Sequence, residues 1–248
     1  MVDNLALFFI VTGIVAFLVG LSKGGLGGAP GALATPLMTL VLPDGSAIGL
    51  VLPILMFADI FTVAFHWKHW DRRLVLLLIP GSVVGVTIGT YLITNAPQRT
   101  LRVGLGVIVL LFVVYKVFEQ RIMGALRYKP HAWHGLLAGT VTGFSSSLAH
   151  IGGPPVSIYL LMQDLTPRIF IGTSALFFLI LNWIKVPYYI WANQFDPDLL
   201  WQIVWLAPLV PLGVWVGKWG ASKVDKRTFD WIIVVLLAII AVMLIVRH

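Results

Sequence analysis

Two short segments of this 248-residue chain collect the residue types that can hold an anion. The first, "GLSKGGLGGAPG" (Gly20–Gly31), offers the hydroxyl of Ser22, the ammonium of Lys23 and glycines at Gly24, Gly25, Gly27 and Gly28. The second, "GFSSSLAHIGGPP" (Gly143–Pro155), offers the hydroxyls of Ser145, Ser146 and Ser147, the imidazole of His150, and Gly152 and Gly153. Hydroxyl, ammonium and imidazole groups donate hydrogen bonds, and glycine lets backbone amides approach a ligand closely. Proline follows in both segments, at Pro30 and at Pro154–Pro155, where it opens a new helical limb. Its missing N–H costs nothing in a first turn. The start of such a limb carries unpaired N–H groups and partial positive charge, which attract anions.

Other polar groups stand out against their surroundings. Asp59 lies inside an apolar run, where an ionisable residue is expensive and usually functional. It reads either as a proton-coupling carboxylate or as a structural partner for a facing backbone donor. His150 reads as an anion donor, a second proton-coupling group or a satisfied structural histidine. Lys23 either lines an anion site or snorkels to an interface. Lys185 reads either as a snorkelling residue near a helix end or as a source of added positive potential. His66, Trp67, His69 and Trp70, with Trp191, Trp201 and Trp219, read as an interfacial belt. Pairs such as Gly85/Gly89 and Gly213/Gly217 read as close-packing positions.

These residues must be positioned by membrane helices. The chain is 59% hydrophobic and 11% charged, with a mean hydropathy of +0.95. Stretches without Asp, Glu, Lys or Arg recur at Asn4–Ser22, Gly24–Pro43, Leu74–Gln98, Ala132–Gln163 and Leu199–Gly217. Each is about long enough to cross a hydrocarbon core of ~30 Å. The longest polar stretch, roughly Lys116 to His131, is expected to be a loop, so no sizeable soluble domain is expected. The start "MVDNLALFF" lacks a basic n-region and is expected to stay as a membrane element. The net charge of +7 comes from Lys and Arg scattered among loops, which fits the positive-inside rule rather than nucleic-acid binding. Without cysteine there is no disulfide and no thiol chemistry.

The chain also repeats itself. "GLSKGGLGGAPGALATPLM" aligns with "GFSSSLAHIGGPPVSIYLLM": both read Gly-x-Ser, a variable segment, then Gly-Gly-x-Pro and an apolar run. Gly49 pairs with Gly172 and Asp59 with Asn182 at one constant offset. Pro80–Gly89 matches Pro208–Gly217, and Arg99 matches Arg227, at a second. The series predicts an all-α polytopic membrane protein of two repeats, residues 1–124 and 125–248, forming one transport domain. In the first repeat a broken hairpin over 5–42 precedes spans at 46–66, 74–95 and 100–118. In the second a broken hairpin over 132–163 precedes spans at 168–191, 198–219 and 228–247.

If each broken element enters and returns, each half crosses an odd number of times, and the second is inverted relative to the first. Loop charge agrees. "HWKHWDRR" (His66–Arg73) is basic and reads as cytoplasmic, whereas its counterpart "WANQFDPD" (Trp191–Asp198) has no Lys or Arg and reads as external. "KVDKR" (Lys223–Arg227) and the connector with Lys116, Arg121, Arg127 and Lys129 read as cytoplasmic, leaving both termini, Arg99 and Arg102 outside. Inverted-repeat transporters hold substrate near the midplane, where the two hairpin tips would meet.

These paired Gly-Gly-x-Pro breaks and the two-fold repeat resemble the sulfite exporter TauE/SafE family, also called toluene sulfonate uptake permeases, over nearly the whole length. The resemblance implies a bacterial inner-membrane transporter of small sulfur-containing anions such as sulfite, sulfoacetate or related organosulfonates. On this reading Ser22, Lys23, Gly24, Gly25, Gly27, Gly28, Ser145, Ser146, Ser147, His150, Gly152, Gly153 and Asn182 bind substrate, with Asp59 and His150 as proton-coupling groups. The expected partners are the small anion and the lipid bilayer, with homodimerisation left open and no nucleic acid. No cofactor, metal site or catalytic residue is expected. Nothing resembles a nucleotide-binding loop, so ion or substrate gradients would supply the energy. A passive anion channel using the same site is the first alternative. An intramembrane enzyme is the second, resting only on Ser145–Ser147 near His150.

Overall fold

The computed structural model describes residues 5–26, 29–42, 44–125, 131–220 and 226–246. The described residues form helices, and no strand occurs among them. Helix α1 (Leu5–Leu21) runs into a widened π turn, Ser22–Leu26, and beyond it lie two short helices, α2 (Ala29–Ala32) and α3 (Ala34–Met38). Then come α4 (Asp44–Phe65), α5 (Arg72–Asn95) and α6 (Gln98–Ala125). The second half follows the same order: α7 (Ala132–Ala149), α8 (Gly153–Leu161), α9 (Pro167–Trp191), then α10 (Pro197–Ile203), α11 (Leu209–Gly220) and α12 (Lys226–Val246). Among the described residues, five helices are long and apolar enough to cross a membrane, or six if the bent pair α10–α11 counts as one span.

The loops stop and start helices by the same chemistry in both halves. Asp71 caps α5, accepting from the amides of Arg73 (2.8 Å) and Leu74 (3.1 Å). Asp196, at the matching place in "WANQFDPD", caps α10, accepting from Asp198 (3.0 Å) and Leu199 (3.2 Å). A carboxylate at this position satisfies amides that have no partner within the helix. Pro53, Pro80 and Pro187 sit inside α4, α5 and α9, which run on through them.

The span expected over 198–219 is different. It breaks after Ile203, passes through a tight turn at Val204–Leu206, and bends by 46° before α11. Two prolines, Pro208 and Pro211, fall within one turn there and remove two backbone donors, whereas α5 has only Pro80.

The main helix pairs each join one half to the other. Helices α5 and α7 run parallel, with Gly81 against Leu136, Gly85 against Thr140 and Gly89 against Ser147. Helices α1 and α11 do the same: Gly20 packs on Val210 and Gly213, and Gly217 on Leu21. A Cβ at Gly20, Gly81 or Gly85 would collide with the facing carbonyl, so only glycine permits this approach. Helices α4 and α9 are antiparallel. Gly49, early in α4, meets the Gln194 carbonyl just after α9, and Gly172, early in α9, meets the His69 carbonyl just after α4. Helices α6 and α12 are also antiparallel: Gly106 lies against Ala241 and Ile245, while Lys116 bonds Asp230 at 3.3 Å. Within each half the limbs flanking the break touch, Thr12 meeting Met38 Sδ and Gly135 meeting Tyr159.

Candidate anion site

Both glycine-rich segments reach one cavity. Its volume is about 110 Å³, and its polar lining comes from Ser22 and Lys23 in the first half and Ser146, His150 and Asn182 in the second. Gly31 and Gly153 contribute backbone, and Val19, Leu55, Phe112 and Phe178 form apolar walls.

Lys23 is carried by the π turn, where one extra residue per turn breaks the regular ladder. Its ammonium forms an ion pair with Asp59 on α4 and stands 5.0 Å from the centre of the Phe178 ring. Asp59 is fully buried, whereas the Lys23 side chain keeps 20% exposure. The other carboxylate oxygen of Asp59 accepts from Asn182 Nδ2 at 2.6 Å. Asp59 and Asn182 are repeat mates, and they meet where α4 crosses α9.

One turn further along α9, Lys185 is also fully buried. Its ammonium donates to Ser146 Oγ (3.1 Å) and the Ser146 carbonyl (3.4 Å). The sequence reading of Lys185 as a snorkelling residue is therefore corrected. Six residues of helix still follow it, and its side chain turns inward toward α7 rather than outward along α9. Its spacing of three from Asn182, on one helical face, was the available signal.

His150 ends α7 in the left-handed conformation (φ 56°, ψ 24°), and this residue turns the chain toward α8. Its Nδ1 lies 3.1 Å from Thr35 Oγ1 on α3, tying the two broken segments together. Its Nε2 is buried without a hydrogen-bond partner among the described residues. Thr35 is fully buried and carries a hydroxyl proton. When that hydroxyl donates to Nδ1, the neutral ring carries its own proton on Nε2, a donor with no partner among the described residues. Thr35 was missed at the sequence level because nothing local marks a buried threonine as a histidine partner.

The structure brings Ser22, Lys23, Ser146, His150, Gly153 and Asn182 to the cavity, with Asp59 directly behind Lys23 and Asn182. Of the other residues read as substrate-binding, Gly24, Ser145, Ser147 and Gly152 are not among the lining residues. Gly24 packs on the Val214 backbone of α11, and Gly152 fills the angle against Thr142 and Ser146. Ser145 donates to the Val141 carbonyl (2.8 Å) and Ser147 to that of Phe144 (2.9 Å), both within α7. Gly25 belongs to the π turn. Gly27 and Gly28 lie outside the described residues. Helix α2, expected to present an N-terminus to the anion, is a single turn of four residues.

The apolar helices and their lipid-compatible surface define a multi-pass integral membrane protein. Trp191, Trp201 and Trp219, read as belt residues, are 64%, 69% and 58% exposed. Residues 12–244 match the family model described as sulfite exporter TauE/SafE. The chain belongs to this family, whose members are membrane transporters exporting sulfite and other anions. No curated protein and no solved structure matches the chain.

Proposed function

We propose that the chain is a secondary transporter of a small sulfur-containing anion, sulfite or a short organosulfonate, in the bacterial inner membrane. The observation that carries this reading is the cavity itself. It sits between the two broken segments and is lined by Lys23, Ser22, Ser146 and His150. Lys23 lines it, Lys185 is held behind Ser146, and Asp59 is the one carboxylate beside them among the described residues, a balance that favours an anionic guest. Sulfite offers oxygen acceptors only, matching a lining of donors.

Transport would proceed by alternating access between two inverted repeats. The antiparallel crossings of α4 with α9 and of α6 with α12 support this, because each pair joins equivalent helices of the two halves. Reciprocal parallel packing of α5 on α7 and α11 on α1 supports it as well. Repeats arranged this way can rock about a site that both of them line.

Binding tests the reading. Sulfite, sulfoacetate, sulfate and acetate are titrated calorimetrically into purified protein in detergent. Sulfite or sulfoacetate is expected to bind, with acetate weaker. Lys23→Ala removes one charge-assisted hydrogen bond, worth about 1.5–3 kcal/mol, and should weaken affinity roughly tenfold or more. Absence of binding by both sulfur anions overturns the proposal, and unchanged affinity in a cooperatively folded Lys23→Ala protein removes Lys23 from the site.

A further inference from the structure

Building on the transport reading, we propose that Lys23 is shared between two anionic partners, so that each substrate anion moves together with one proton carried by Asp59. In the empty carrier Asp59 neutralises Lys23. On loading, the substrate takes over the Lys23 ammonium and Asp59 accepts a proton from the aqueous side.

The geometry divides the roles. Lys23 lines the cavity, whereas Asp59 stands behind it without exposure. An anion entering the cavity therefore meets an ammonium that is already paired. Leaving both anions on one ammonium would strand negative charge in a buried site, which is strongly unfavourable. For a monoanion such as bisulfite, protonating Asp59 removes that excess, and the buried charge is then the same before and after loading. A site that must work inside a bilayer gains most from this constancy.

The two oxygens of Asp59 are not equivalent. Oδ2 accepts from Asn182 at 2.6 Å and Oδ1 faces Lys23. The Asn182 bond survives protonation, because a neutral acid keeps an acceptor oxygen. The proton goes to Oδ1, where a new O–H bond replaces the ionic contact with Lys23. The proton is taken from water and returned on release, with no redox change.

Few charged groups surround this pair. Helix α9 supplies Lys185, bonded to Ser146, and the α7–α8 junction supplies His150, bonded to Thr35. Helices α1 and α3 carry no ionisable side chain, and α7, α8, α9 and α11 carry no acidic one. Lys218 of α11 lies over the Phe65 ring at the end of α4, and Lys116 of α6 is held by Glu119 and Asp230. Asp59 is the acidic residue placed to follow the state of Lys23.

Infrared difference spectroscopy on purified protein, with and without sulfite, tests the inference. Sulfite addition is expected to raise a carboxylic-acid C=O band that shifts in protein labelled with 13C-aspartate and is lost in Asp59→Asn. In liposomes, Asp59→Asn should lose the sulfite accumulation that a pH gradient drives in the wild type. The double variant Lys23→Gln/Asp59→Asn leaves no unpaired charge, and it should also show no acid band. Sulfite binding to the wild type without an acid band overturns the inference and leaves the transport reading standing. So does pH-driven accumulation by Asp59→Asn. Absence of sulfite counterflow in the wild type overturns the transport reading and this inference with it.

Discussion

Removing either partner of the Lys23–Asp59 pair should have unequal consequences. Lys23→Met keeps the stem of the side chain but leaves the fully buried Asp59 carboxylate with Asn182 as its remaining hydrogen-bond donor. Stranding a buried charge in this way costs about 3–5 kcal/mol. Asp59→Asn strands Lys23 instead, but that side chain keeps 20% exposure and its contact with the Phe178 ring. The carbonyl of the new amide can still accept from Asn182, so the cost should fall to about 1–2 kcal/mol. Replacing both removes the charges together and should cost no more than about 1 kcal/mol, because a buried pair contributes little net stability. The resulting coupling is at least about 3 kcal/mol, at or beyond the upper end for interacting neighbours. At 2–4 °C per kcal/mol for a chain of this size, Lys23→Met should melt roughly 6–20 °C below the wild type. Tryptophan fluorescence during thermal unfolding in detergent measures all four proteins. Additive single effects, or a larger loss for Asp59→Asn than for Lys23→Met, would refute the reasoning.

The helix contacts and caps yield further expectations. Gly85→Val places branched carbon against the Thr140 carbonyl and should cost about 1–3 kcal/mol or more by forcing α5 off α7, read as a lower melting temperature. Gly104→Ala is the control, since nothing lies within 4 Å of its missing Cβ. Tyr189→Phe deletes the 2.7 Å bond to the Ser147 carbonyl and leaves a buried acceptor unpaired. A loss of about 1–3 kcal/mol, with sulfite affinity unchanged by calorimetry, is expected. Asp71→Ala and Asp196→Ala remove equivalent caps and should each cost about 1 kcal/mol by thermal unfolding.

Much of this architecture was legible in the sequence because hydropathy and charge mark where helices leave the membrane. The spans read over 46–66 and 168–191 appear as Asp44–Phe65 and Pro167–Trp191. The bend in 198–219 was not legible. Pro80 and Pro208 align, yet one helix absorbs its proline and the other yields, and that outcome depends on a second proline and on the packing of α1 along α11. Repeat alignment placed Asp59 opposite Asn182 as equivalents, but their direct bond depends on how α4 crosses α9, which no local pattern records. Lys185 shows the same limit. Hydropathy sees a lysine near a helix end, while only the fold supplies the Ser146 acceptors that hold it inside. Segment composition also overstated the site. It grouped Ser145, Ser146 and Ser147 as donors, although three successive residues of one helix point in different directions, and Ser146 is the one that lines the cavity.

The central claim, transport of a sulfur anion by alternating access, is tested most directly by counterflow. Liposomes holding the purified protein are loaded with unlabelled sulfite and diluted into a trace of labelled sulfite. The account predicts a transient accumulation of label above its equilibrium level, dependent on the internal sulfite. Label that equilibrates without such an overshoot, or enters no faster than into protein-free liposomes, would contradict it.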